Sequence, residues 1–178
     1  MELKGKTIGI MGLGAIGKVV ARCAGGFDMK VIAYDPYIDE GYCRDNAIKP
    51  GAFEEVLEQS DVISLHLPLI DSTLHLIDAS AIARMKPTAI LVNTSRGGII
   101  DEDAVYEALK NGRLGGLALD AFEIEPPADS PLFTLDNVVA TPHTGAHTAE
   151  AVENMANLSV KNLIDVLSGN DCPYIVNK

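Results

Sequence analysis

Thr7-Ile8-Gly9-Ile10-Met11-Gly12-Leu13-Gly14-Ala15-Ile16-Gly17 decides the fold. An apolar, β-branched run ends on glycines spaced G-x-G-x-x-G, and a helix-forming stretch follows. Such glycines alone are a weak signal; directly after a strand and opening a helix they gain meaning. Gly12 then permits the tight turn, Gly14 lets the backbone approach a pyrophosphate, and Gly17 lets helix and strand pack closely. The helix start adds free N–H groups and a positive dipole end for phosphate. Asp35 closes the next apolar run, 18 residues after Gly17. A carboxylate there accepts bonds from both hydroxyls of an adenosine ribose. It also repels a 2′-phosphate, and Pro36-Tyr37 supplies no arginine to offset it, so NAD is favoured over NADP. The competing reading is a loop whose glycines serve packing only.

Outward from this stretch, short apolar runs alternate with helical patterns. Strands are expected at Thr7 to Met11, Lys30 to Tyr34, Val62 to Leu67, Ala89 to Asn93, Leu117 to Leu119 and Val138 to Ala140, with a weaker one around Ala47 to Ile48. Helices are expected at Ala15 to about Gly25, Phe53 to Gln59, Ser80 to Met85 behind Asp78, Glu102 to Asn111 behind Asp101, and Thr148 to Ser168, ended by Gly169. The alternation predicts an α/β fold, a Rossmann-type doubly wound parallel sheet in a single domain. Ala89-Ile90-Leu91-Val92 is apolar without alternation, as in strands buried on both faces.

The 178 residues, 47% hydrophobic and 22% charged, have the composition of an ordinary globular domain. Fourteen basic against 25 acidic side chains leave a net charge of −11, which argues against nucleic acid as a partner. The longest apolar run is too short to span a membrane, and Met1 to Lys6 has no secretory h-region. Cys23, Cys43 and Cys172 are odd in number and form no C-x-x-C pair, so neither a disulfide framework nor a zinc site is implied. A reduced, cytoplasmic setting without a metal is the expectation.

In an open parallel sheet, ligands sit beyond the carboxyl ends of the strands. Thr94-Ser95-Arg96-Gly97-Gly98 follows one strand; its guanidinium can grip a carboxylate in bidentate fashion. Asp120 follows another, with Glu123 and Glu125 close behind. Thr141-Pro142-His143 follows the last, and histidine is suited to exchange a proton near neutral pH. Glu125 or Glu123 would raise its pKa and fix its tautomer. Each residue also has a bland reading: Arg96 as a surface arginine, His143 as a loop histidine with a structural bond. Among the other histidines, His66 reads as a satisfied core or rim residue, His75 as surface, and His147 as a neighbour of a helix cap. A dinucleotide site, an anion-holding arginine and a histidine with an acid partner fit hydride transfer to a small oxoacid. A methyltransferase, another glycine-loop α/β enzyme, is the rival class.

Four stretches carry a resemblance: Gly5 to Gly14, Val92 to Asp101, Ala118 to Pro127, and Thr141-Pro142-His143-Thr144-Gly145-Ala146. They resemble, in order, the NAD-binding domain of the D-isomer-specific 2-hydroxyacid dehydrogenases, with the D-3-phosphoglycerate dehydrogenases most similar. The resemblance implies that Arg96 binds the substrate carboxylate, that His143 is the acid/base, and that Glu125, not Glu123, is its partner. It implies a cofactor set of Gly12, Gly14, Ala15, Ile16, Gly17, Asp35, Leu67, Pro68, Thr94, Ser95, Arg96, Asp120, His143 and Gly145. Asp120 would contact the nicotinamide carboxamide, and Leu67 with Pro68 would border the adenosine. The implied substrate is a 2-hydroxyacid or 2-oxoacid, with hydroxypyruvate or glyoxylate reduction as the nearer alternative. A non-catalytic, NAD(H)-sensing corepressor is the further one. The family also implies a homodimer through this domain. Its substrate domain comes mainly from residues ahead of the glycine motif, so the expectation is that residues 1–178 are the NAD-binding domain, with that part absent upstream and a short C-terminal stub from about residue 170.

Overall fold

A computed structural model describes residues 1–175; part of the expected C-terminal stub, Val176 to Lys178, lies outside the described residues. The chain divides into two compact units, Met1–Pro142 and His143 onward.

The first unit holds a sheet of seven strands: β1 (Thr7–Met11), β2 (Lys30–Tyr34), β3 (Ile48–Pro50), β4 (Val62–Leu65), β5 (Ile90–Asn93), β6 (Gly116–Leu119) and β7 (Val138–Ala140). All pairings are parallel, in the order β3-β2-β1-β4-β5-β6-β7. Between them lie α1 (Ala15–Gly26), α2 (Glu40–Asp45), α3 (Phe53–Gln59), α4 (Ala79–Arg84), α5 (Glu102–Lys110) and a 3-10 turn, Pro131–Thr134. The order reverses at β1, which pairs with β2 on one side and β4 on the other. That reversal is the point where doubly wound sheets bind ligands.

Side chains alternate across a strand, and here they divide the core in two. Ile8, Ile10, Val31 and Ala33 pack with Leu13, Ala21 and Ala24 of the α1 region and with Cys43 of α2. Met11, Ile32, Ile63, Leu65, Leu91, Leu117 and Leu119 pack on the other face with residues of α3, α4 and α5. Burial on both faces explains why these strands read as unbroken apolar runs.

Most expected elements are present, and the differences have local causes. Ala47 has φ of 54°, a left-handed conformation that a strand excludes, so β3 starts at Ile48. Pro50 is tolerated because β3 is an edge strand. β4 stops at Leu65 rather than Leu67; the His66 N–H still donates to the Met11 carbonyl at 2.7 Å before the chain turns at Pro68. The unexpected α2 is six residues long, too short for a periodic signal, and starts where Asp39 accepts from the Tyr42 N–H at 2.9 Å. Asp78 and Asp101 cap α4 and α5, accepting from the N–H groups of Ala81 and Ala104.

The second unit contains α6 (Ala149–Leu167), capped by Thr148 and followed by Gly169 at φ of 73°. No residue of α6 is buried. Among the described residues, no helix is long and apolar enough to cross a membrane.

Candidate cofactor and active site

Parallel strands in register deliver their carboxyl ends to one rim. At β1, Gly12 turns with φ of 93°, and a Cβ there would meet the His66 carbonyl oxygen at 2.6 Å. Only glycine suits both constraints. A Cβ at Gly17 would overlap the Gly12 carbonyl, which is the close helix–strand packing expected of the third glycine. Gly14, by contrast, faces open space, with nothing within 4 Å of where a Cβ would lie. Ala15 and Ile16 form the first turn of α1, and Ile16 is exposed.

Asp35 lies just past β2 and joins the strand end to the glycine loop. One carboxylate oxygen accepts the Leu13 N–H at 2.8 Å and the other the Tyr37 N–H at 2.8 Å. A carboxylate offers roughly four lone-pair sites, so acceptor capacity remains for two ribose hydroxyls. The open approach at Gly14, the amides opening α1 and this carboxylate fit a dinucleotide. Leu67 is buried and Pro68 exposed at the end of β4, on the flank of the same turn. His66 is half-buried with its Nε2 3.0 Å from Ser64 Oγ, and burial holds its pKa below the ordinary histidine value.

At the end of β5, buried Asn93 shapes the arginine loop. Its Oδ1 accepts from the Ser95 N–H at 3.1 Å and the Ser95 hydroxyl at 2.8 Å, while its Nδ2 donates to the Arg96 carbonyl at 2.7 Å. Thr94 and Arg96 are left exposed, with Arg96 Nη1 donating to the Ser95 carbonyl at 2.7 Å. A Cβ at Gly97 would overlap the Phe122 carbonyl, so this loop packs directly on the segment that follows β6. That segment starts at buried Asp120, whose Oδ1 accepts from the Thr141 hydroxyl at 2.6 Å. Glu125 Oε1 accepts the Phe122 N–H at 3.1 Å.

The two acid candidates bond differently within the first unit. Glu123 Oε1 accepts the Glu102 N–H at 3.0 Å and lies 3.2 Å from His75 Nε2, so it is engaged at the start of α5. His75, expected as a plain surface residue, is half-exposed but has this partner. His143 and Gly145 belong to the second unit; both are exposed, and His143 has φ of 54°. A non-glycine residue held there is uncommon and is often found at functional sites. Also in that unit, the His147 N–H donates to the Thr144 carbonyl at 2.9 Å, next to the Thr148 cap. The first unit thus places the glycine loop, Asp35, Leu67, Pro68, Thr94, Ser95, Arg96, Asp120 and Glu125 after the carboxyl ends of β1, β2, β4, β5 and β6.

Sequence reasoning missed Asn93 and Thr141. An asparagine closing an apolar strand was the available signal for the first. For the second there was none, because its bond to Asp120 spans 21 positions.

Residues 1–145 match the family model of the D-isomer specific 2-hydroxyacid dehydrogenase NAD-binding domain. The chain is 46% identical over 178 residues to a D-3-phosphoglycerate dehydrogenase of Methanocaldococcus jannaschii, covering 99% of this chain and 34% of that protein. It is 44% identical over 178 residues to a glyoxylate reductase of Korarchaeum cryptofilum, covering 99% and 54%. A crystal structure of D-lactate dehydrogenase with NAD+ from Lactobacillus jensenii superposes with a TM-score of 0.90 at 31% identity, over 100% of this chain and 57% of that one. The chain therefore spans between about a third and a half of the curated relatives it matches.

Proposed function

Because the chain belongs to the D-isomer-specific 2-hydroxyacid dehydrogenases, as their NAD-binding domain, we propose that it is the cofactor half of an oxidoreductase moving a hydride between NAD(H) and a D-2-hydroxyacid or 2-oxoacid. The observation that carries this reading is the Gly97–Phe122 contact, which sets the Arg96 loop against the Asp120–Glu125 segment at the carboxyl ends of the strands, where the glycine loop also lies. A phosphoglycerate dehydrogenase-like enzyme is the first choice and a glyoxylate or hydroxypyruvate reductase the second; the names of the relatives fit both.

When bound, NAD(H) supplies or accepts the hydride. Gly12, Gly14, Ala15, Ile16 and Gly17 hold the pyrophosphate, and Asp35 the ribose hydroxyls. Leu67 and Pro68 border the adenosine. Thr94, Ser95, Asp120 and Gly145 position the nicotinamide half. Arg96 grips the substrate carboxylate and draws electron density from the neighbouring carbonyl. His143, protonated, delivers its proton to the carbonyl oxygen in reduction, and as the neutral base removes it in oxidation. Glu125 supplies the negative charge that pairs with the imidazolium and orients the ring. Substrate-recognising groups and water exclusion come from the part of the relatives' length that this chain does not span. We further propose a cytoplasmic homodimer through this domain, acting on a small molecule rather than on nucleic acid or membrane. The net charge of −11 supports the first of these exclusions.

The test is a pH–rate series on the intact enzyme with glyoxylate, hydroxypyruvate and phosphohydroxypyruvate. His143→Ala should cost roughly 10²–10⁴ in rate. Glu125→Gln should move the falling alkaline limb of reductive kcat/KM to lower pH, because an unsupported imidazolium loses its proton sooner. NADH binding without turnover of any oxoacid would favour a sensing role instead.

A further inference from the structure

Beyond the reacting groups, Glu102, Glu123 and His75 form a knot joining three separate stretches of chain. Glu102 Oε1 accepts the Glu123 N–H at 2.8 Å, and Glu123 Oε1 returns the bond from the Glu102 N–H at 3.0 Å. His75 Nε2 lies 3.2 Å from the same Glu123 oxygen. The His75 N–H in turn donates to the Gly98 carbonyl at 2.7 Å, in the loop that presents Arg96. Reciprocal carboxylate–amide bonds of this kind fix two backbone positions at once.

Packing gives the segment beyond Phe122 little help. Ile124 is 77% exposed, and one side of the chain from Glu123 to Pro131 borders a cavity of about 470 Å³. Phe122 itself is buried, edge-to-face with Phe133. The segment is therefore anchored by packing at Phe122 and by hydrogen bonds at Glu123, immediately ahead of Glu125. Burial, and then the nearby Glu123 and Asp103 charges, push the Glu102 carboxyl above the usual glutamate range. Two glutamates held this closely are an electrostatic cost that solubility alone does not call for.

We propose that Glu102 and Glu123, with His75, are positioning residues for the reaction: they tie the Phe122–Glu125 segment to the start of α5 and so hold Glu125 in the orientation its partnership with His143 requires. This deepens the acid-partner reading above and rests on it. Glu102 bonds the Glu123 N–H and His75 the Gly98 carbonyl, so both act through the backbone that carries Glu125 and presents Arg96.

The experiment compares Glu102→Ala, Glu102→Asp, Glu102→Gln and Glu125→Gln in the intact enzyme. It measures reductive kcat and KM against pH, and NADH dissociation constants. Removing the acceptor (Ala) or withdrawing it by one methylene (Asp) should lower kcat between tenfold and about a hundredfold, the range for modest misplacement of a catalytic group. The alkaline limb should move to lower pH, as in Glu125→Gln, with NADH affinity within twofold of wild type. Glu102→Gln keeps an oxygen for the Glu123 N–H and should restore both rate and limb. Should Glu102→Ala not fold, Glu102→Asp carries the comparison. If the limb moves in Glu125→Gln but stays at its wild-type position in the Ala and Asp variants, the knot is merely structural and the proposal is overturned. Failure of Glu102→Gln to restore the limb overturns it too. An unmoved limb in Glu125→Gln itself sinks the acid-partner reading, and the positioning role with it.

Discussion

Asp35 does two things with one carboxylate. It shapes the glycine loop through the Leu13 N–H, and in the proposed function it also accepts the ribose hydroxyls. NADH should therefore bind more tightly than NADPH, and Asp35→Ala should narrow the gap while weakening NADH. Each charge-assisted bond lost costs on the order of 1.5–3 kcal/mol before compensation. Fluorescence titration of both cofactors checks this; equal affinities in the wild type would refute the role. His66 offers a second test. Burial lowers its pKa, so the unfolded chain binds a proton more readily than the folded one. Stability should be full above the unfolded value of about 6.5 and fall as pH drops through it. Thermal melts of wild type and His66→Asn between pH 5 and 8 measure the difference; parallel curves would mean that His66 titrates normally. The place of Asp35 beside the glycine loop was legible because it lies at a fixed distance from the glycine motif. Asn93 and Thr141 were not, since their roles consist of bonds to groups that only the folded sheet brings near.

At the scale of elements, the sequence carried most of the architecture because most strands announce themselves by buried apolar runs and several helices by a capping side chain. Asp78, Asp101 and Thr148 were all readable as caps or helix starts, and each accepts a bond from the first turn of its helix. Asp101→Ala should accordingly destabilise the domain by about 1 kcal/mol, the usual worth of an N-cap. Urea denaturation measures it; a change within error would mean that the reciprocal Glu102–Glu123 bonds hold the start of α5 without it. What escaped was short or conformational. The six residues of α2 give no full period, and nothing in the identity of Ala47 reveals a left-handed φ of 54°.

For the whole molecule, the expected single-domain α/β sheet is present, and within it the chain divides into two compact units at Pro142/His143. No hydrophobic pattern marks that boundary, because β7 and α6 each look like ordinary elements. The division puts Arg96, Asp120 and Glu125 in one unit and His143 in the other. Residues 1–178 by themselves should bind NADH yet turn over oxoacids poorly, since hydride transfer needs a closed cleft that excludes water. Calorimetry for binding and a coupled absorbance assay for turnover decide this. Substantial oxoacid-dependent NADH oxidation by this chain alone would show that no further lobe is needed.

The strand order has a consequence for how the protein is made. β1 pairs with β2 through Thr7↔Lys30, but its other edge waits for Ile8↔Val62. Every later pairing is again parallel and bridged by a crossover, so no hairpin can form early to protect an edge. During synthesis β1, β2 and β3 of this sheet emerge before β4, with one edge of β1 bare until β4 follows. Parallel pairings of this reach form slowly and expose unpaired edges meanwhile. The same reversal that opens a crevice beside β1 thus leaves the nascent chain with β1 paired on one edge only until β4 follows.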